Sequence, residues 1–92
     1  MIVGFRHKGL KRFYEDDDRS KLPAELIERI RGILTVLEHA ADLKAVDRPT
    51  LRLHPLKGEF RGFHAVTVRA NWRIVFRFEG HNIRDVDFVD YH

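Results

Sequence analysis

From Trp72 to Glu79 the side chains alternate without a break. Trp72, Ile74, Phe76 and Phe78 share one parity, and Arg73, Val75, Arg77 and Glu79 share the other. A period of two means a strand with one face in the core and one in solvent. Such a strand needs neighbours. Ala70-Asn71 before it reads as a two-residue turn, since asparagine tolerates positive φ, and Phe63 to Arg69 reads as the strand leading into that turn. Gly80-His81-Asn82 turns the chain back, and Ile83 to Val89 forms the last strand. The final third is therefore an antiparallel meander whose apolar face must be covered.

The cover lies upstream. Pro23 suits the first position of a helix, where its missing amide hydrogen would have had no partner, and Glu25 and Glu28 favour the first turns through the helix dipole. Leu26, Ile30, Ile33, Leu34 and Leu37 then run as an apolar stripe down to about Leu43, with Gly32 expected as a close-packing point. A shorter amphipathic helix spans His7 to Glu15. Its Leu10, Phe13 and Tyr14 face the core, and Lys8, Lys11 and Arg12 stay wet. Met1 to Phe5 reads as a short strand, Asp16 to Ser20 as a loop, Leu43 to Thr50 as a connector, and Leu51 to Leu53 as a brief strand ending at His54.

Short strand, two main helices, then an antiparallel meander packed on them describes an α+β domain. Ninety-two residues make a single domain, and the 43% hydrophobic content supplies one modest core. With no cysteine, a disulfide scaffold, a thiolate nucleophile and a sulfur-ligated zinc site are excluded. No apolar run approaches the ~20 residues of a membrane span, and no signal peptide opens the chain. The expectation is a small cytoplasmic domain that uses no cofactor and no membrane.

Charge is distributed unevenly. Arg52, Lys57, Arg61, Arg69, Arg73 and Arg77 stand against Glu59 alone, after which Arg84 stands against Glu79, Asp85, Asp87 and Asp90. A basic stretch that gives way to carboxylates suits a polyanion on which chemistry is done. Arg73 and Arg77 occupy the sheet face opposite the helices, and Arg69 joins them if the register allows.

Three groups stand out. Leu53-His54-Pro55-Leu56-Lys57-Gly58 offers an imidazole able to move a proton near neutrality, then a lysine on a turn. Val68-Arg69-Ala70-Asn71-Trp72-Arg73 offers a guanidinium fork matched to phosphate. Asp90-Tyr91-His92 follows directly on the last strand, and the closing residue's own α-carboxylate favours an imidazolium there. Asn71 is better read as turn chemistry and Trp72 as core. His7, His39, His64 and His81 show no ligand spacing, so no metal site is expected. RNA carries its own nucleophile in the 2′-hydroxyl. Cutting it then requires a base, an acid and a cation, all of which these groups contain.

Together with Phe5-Arg6-His7-Lys8-Gly9-Leu10 and Leu22-Pro23-Ala24, the three groups resemble the HigB branch of the RelE-like toxins of bacterial type II toxin–antitoxin modules. The resemblance spans essentially the whole chain. It implies a microbial-ribonuclease-like fold and cleavage of messenger RNA in the decoding site of the 70S ribosome, leaving a cyclic phosphate and a free 5′-hydroxyl. It implies a HigA-type helix-turn-helix antitoxin, through which alone the protein meets operator DNA. Carried over by position, the functional residues are His54, Lys57, Arg73, Asp90, Tyr91 and His92. Acid and base roles stay open, with His92 or Asp90 favoured as base. Lys8, Lys11, Arg12, Arg69 and Arg77 are candidate RNA contacts. Two departures stand out: His64 replaces a common tryptophan, and Asp16 to Asp18 form an acidic loop that would repel RNA if it faced the substrate. The competing reading is a non-catalytic binder of RNA or ribosome that blocks translation. A DNA-binding antitoxin is excluded, because the β-rich half leaves no room for a helix-turn-helix.

Overall fold

The computed structural model describes residues 1–90. In chain order they form α1 (Lys8–Asp16), a 3₁₀ turn (Ala24–Leu26), α2 (Ile27–His39) and a one-turn helix α3 (Leu43–Val46). There follow β1 (His54–Pro55), a second 3₁₀ turn (Gly58–Phe60), β2 (His64–Arg69), β3 (Trp72–Glu79) and β4 (Asn82–Asp90). The strands lie side by side in the order β1-β2-β3-β4, each antiparallel to the next. The α+β expectation holds.

Each element has a local cause. In α1, the His7 ring accepts the Leu10 N–H at 3.1 Å, and Asp17 ends the helix in the left-handed region at φ 55°. Gly9 is required there. A Cβ at that position would lie 2.7 Å from the Lys21 Cβ and 2.8 Å from the His7 ring. Pro23 precedes a 3₁₀ turn before the α-helix proper begins at Ile27. Helix α2 stops at His39, short of the expected Leu43, because Ala40 turns extended and Asp42 caps α3 by accepting the Ala45 N–H.

Ile30, Ile33 and Leu37 of α2 and Leu10 of α1 are fully buried against Val66, Ile74, Phe76, Ile83 and Val86 of the sheet. Gly32 does not pack closely as expected. Nothing lies within 4 Å of a Cβ placed there, since it falls on the outer side of α2, away from the stripe.

The N-terminal strand reduces to two parallel bridges onto β4, Ile2 with Ile83 and Phe5 with Val86. The Glu38 carboxylate secures this edge, accepting the Ile2 N–H at 3.0 Å and the Tyr14 hydroxyl. That hydroxyl bond, aided by burial, pushes the Tyr14 pKa up to about 12, and the same two donors hold the Glu38 carboxyl below its ordinary value. Tyr14 therefore ties α1 to α2 at the surface, where the sequence pattern had it in the core.

The first strand differs from expectation too. Leu51 to Leu53 do not form it. Instead His54 pairs with Ala65 and Pro55 with His64, because an edge strand has one side that needs no donor, which proline tolerates. At the β2–β3 turn the positive φ falls on Ala70, at 50°, and not on Asn71. Asn82 belongs to β4, so the last turn is tighter than the sequence suggested.

Candidate active site on the open sheet face

Register fixes what shares a face. His64 pairs with Phe76, and Val66 with Ile74 and onward with Phe88, all toward the helices. The opposite parity forms rows across the open face: His54–Ala65–Val75–Asp87, and beside it Thr67–Arg73–Val89. His54 and Arg73 are two strands and two residues apart, about 12 Å between Cα atoms at ordinary strand spacing. Both residues can meet one ribose–phosphate only if the Arg73 side chain extends toward His54. The floor between them is apolar. Phe63, Ala65 and Val75 are buried yet stand apart from the main core cluster.

His54 is half-buried, and its Nδ1 lies 3.2 Å from the Arg52 carbonyl. A carbonyl only accepts, so this contact puts a proton on Nδ1 and gives Nε2 the acceptor role whenever the ring is neutral. Arg52 is left-handed, at φ 50°, which turns its carbonyl back toward the ring. Behind His54 a cleft of about 290 Å³ opens at the sheet edge, lined among others by Lys44 and Asp47 from the α3 side and by His64. Burial, and then the neighbouring His54, holds His64 below its ordinary pKa, and its ring stacks on Phe76 at 6.3 Å.

Arg73 folds back on the β2–β3 turn, where its guanidinium donates to the Ala70 carbonyl and, at 3.1 Å, to the Trp72 carbonyl. Its Nε is buried without a hydrogen-bond partner among the described residues. Lys57 is exposed at the start of the Gly58–Phe60 turn, in the loop that leaves β1. Asp90 ends β4 in register with Trp72, one residue beyond the Arg73–Val89 pair, and so has the parity of Ile74 and Phe88 on the helix side and not that of the Arg73 row. Tyr91 and His92 lie outside the described residues.

The expected RNA contacts divide. Lys8, Lys11 and Arg12 are exposed on α1, which leaves the sheet at its β4 edge, the far edge from His54. The β-bulge at Val68 puts Arg69 in register with Trp72, so Arg69 is out of step with the Arg73 row. Arg77 does lie on the open face, but it bonds the Asp85 carboxylate at 2.6 Å. Asp85 occupies a second bulge at φ 56°, and Arg84 joins it at 3.9 Å while bonding Glu79 at 2.8 Å. The β3–β4 hairpin end of the face is therefore neutralised internally. Of the acidic run, Asp16 ends α1 and Asp17 and Asp18 follow it near α2, where Arg31 pairs with Asp17 at 3.2 Å.

Two residues escaped sequence reasoning. The Arg6 guanidinium lies 4.9 Å over the Phe63 ring, reaching onto the open face from the β4 edge. Arg29 of α2 donates to the carbonyls of Thr50 (2.6 Å), Thr67 (2.8 Å) and Val68 (3.1 Å). It thereby ties the segment entering His54 to the strand entering Arg73. Nothing in the sequence separates Arg29 from Arg31 two residues on in the same helix.

A family profile described as "RelE-like toxin of type II toxin-antitoxin system HigB" matches residues 3–92. The chain is 40% identical over 92 residues to "Endoribonuclease HigB" of Proteus vulgaris, covering all of both chains. It is 32% identical over 82 residues to "Toxin HigB-1" of Vibrio cholerae, covering 85% of this chain and 84% of the other. In fold it is similar to the "YoeB-YefM complex from Staphylococcus aureus", with a TM-score of 0.64 at 13% identity, covering 100% of this chain and 98% of that one.

Proposed function

The chain belongs to the HigB-like family, the RelE-like toxins of type II toxin–antitoxin systems, and on that premise we propose that it is an endoribonuclease that cuts messenger RNA on the ribosome. The observation that carries the reading is the placement of His54 and Arg73 in adjacent rows of one open sheet face, over an apolar floor.

The neutral His54 ring, with Nδ1 tied to a carbonyl, is suited to accept the 2′-hydroxyl proton at Nε2. The attacking oxygen then closes a ring on the adjacent phosphorus, and the 5′-oxygen of the next nucleotide leaves with a proton. Arg73 and Lys57 stabilise the extra negative charge at phosphorus, Arg73 after its guanidinium leaves the carbonyls of the β2–β3 turn and extends toward His54. The Asp90-Tyr91-His92 segment supplies the second proton group. With base, acid and cations all from side chains, the scheme needs no metal. We further infer a cytoplasmic protein acting in the decoding site, held in check by a HigA-type helix-turn-helix antitoxin that alone contacts operator DNA. The similar YoeB chain occurs with YefM, which supports a proteinaceous partner. Among the described residues no helix is long and apolar enough to cross a membrane.

A map of RNA 5′ ends in cells expressing the protein tests this reading. Defined cuts inside codons on translating ribosomes are expected. Stalled ribosomes without cuts would favour the non-catalytic binder.

A further inference from the structure

The loop between β1 and β2 carries an exposed ring that this chemistry does not use. Phe60 is 41% exposed at the end of the Gly58–Phe60 turn, between two left-handed glycines, Gly58 at φ 69° and Gly62 at φ 96°. The ring is held in place, meeting Phe63 edge-on at 6.0 Å between centroids. Phe63 has the parity opposite to His64 and lies beneath the Arg6 guanidinium, so the assembly stands on the open face. The Leu56 N–H donates to the Phe63 carbonyl at 2.9 Å, closing the loop directly beside the His54–Ala65 pair. Lys57 and Arg61 are exposed on the same loop, against one acid, Glu59.

An aromatic ring open to solvent, on a loop that carries Lys57 and Arg61 and starts beside a proton-transfer residue, matches what single-stranded RNA requires: a π-face for the base and positive charge for the phosphates. We propose that Phe60, with Lys57 and Arg61 of the same loop and Arg6 over the neighbouring Phe63, is a stacking platform for an unpaired nucleobase adjacent to the scissile phosphate. The proposal rests on the ribonuclease reading and adds a substrate-binding residue to it. Because every base has a π-face, the platform tightens binding with little preference among bases. An apolar side chain of a protein partner is the rival occupant, and leucine would serve that partner as well as phenylalanine.

The test uses the full chain as wild type, Phe60→Ala, Phe60→Leu and Phe60→Trp, assayed for cleavage on ribosomes programmed with a defined mRNA. Phe60→Ala should raise KM by roughly 5- to 50-fold with kcat little changed, in line with the loss of one base–aromatic stack. Phe60→Trp should restore KM and Phe60→Leu should not. An unchanged KM in Phe60→Ala, or equal recovery by leucine and tryptophan, overturns the proposal. A second readout separates it from the nuclease reading: an oligoribonucleotide should quench Phe60→Trp fluorescence beyond the quenching of Trp72 in the wild type. Should the wild type fail to cut while that excess quenching is present, the nuclease reading falls and the platform stands. No excess quenching overturns the platform.

Discussion

On the side toward α2, a row across the sheet reads Val66, Ile74, Phe88, and all three are buried. One residue over on the other side, the row reads Thr67, Arg73, Val89, with Thr67, Arg73 and Val89 all half-exposed. The same strands thus carry two programmes at alternating positions. The inner face gains its free energy from area removed from water, which any well-fitting apolar residue supplies. The outer face gives up that area to hold polar groups in fixed geometry. It does so unevenly, with ion pairs at the hairpin end and main-chain acceptors holding His54 and Arg73 at the other. Charges cancelled by neighbours are of little use to a phosphate. Carbonyl acceptors leave the net charge of Arg73 in place and orient the His54 ring.

The sharpest break between the faces is expected at His54. His54→Ala should lower mRNA cleavage by about 10²–10⁴-fold, the usual worth of a proton-transfer group, while thermal unfolding stays near wild type. A matching fall in Tm would mean that His54 is structural. Phe76→Ala is the mirror experiment on the fully buried side. It should cost about 3–5 kcal/mol in urea melts, with activity per folded molecule retained. Arg29 crosses the divide, since it sits on the helix layer yet holds the two segments that deliver the site. Arg29→Ala should destabilise by about 2 kcal/mol and lower kcat more than KM, because three carbonyls lose a charged donor and His54 loses its register with Arg73. A stability loss with kcat preserved would confine Arg29 to the core.

The smallest expected effect concerns pH. His64 has its pKa lowered by burial and then by the nearby His54, so the unfolded chain binds that proton first. Stability is therefore full above pH 6.5, falls as pH drops through 6.5 toward the folded value, and then levels. His64→Phe, stacked on Phe76, should remove this component of a denaturation series taken from pH 7.5 to 5.

How far the sequence could be read follows the same division. The meander was legible because Trp72 to Glu79 alternate strictly, and α2 because its stripe is long. What escaped depends on groups remote in sequence. Pro55 reads as a stop signal, yet edge position lets it pair with His64. Arg69 has the right parity for the Arg73 face until the bulge at Val68 shifts it, and bulges leave no composition mark. Gly32 looks like a packing point only while the side of α2 it occupies is unknown. For the candidate site, residue type and motif single out His54, Lys57 and Arg73. The carbonyls that orient two of them are close in sequence but belong to chain turned at the left-handed Arg52 and Ala70, and Arg29 behind those segments is a tertiary fact.

The central claim is that the open face promotes attack by the RNA's own 2′-hydroxyl. It is tested most directly with two programmed ribosome substrates, identical except for a 2′-deoxy sugar at the mapped cut. The ribose form should be cut by the wild-type protein to a cyclic phosphate and a 5′-hydroxyl, and the deoxy form should remain whole at that position. Cutting of the deoxy form at the same bond would contradict the account.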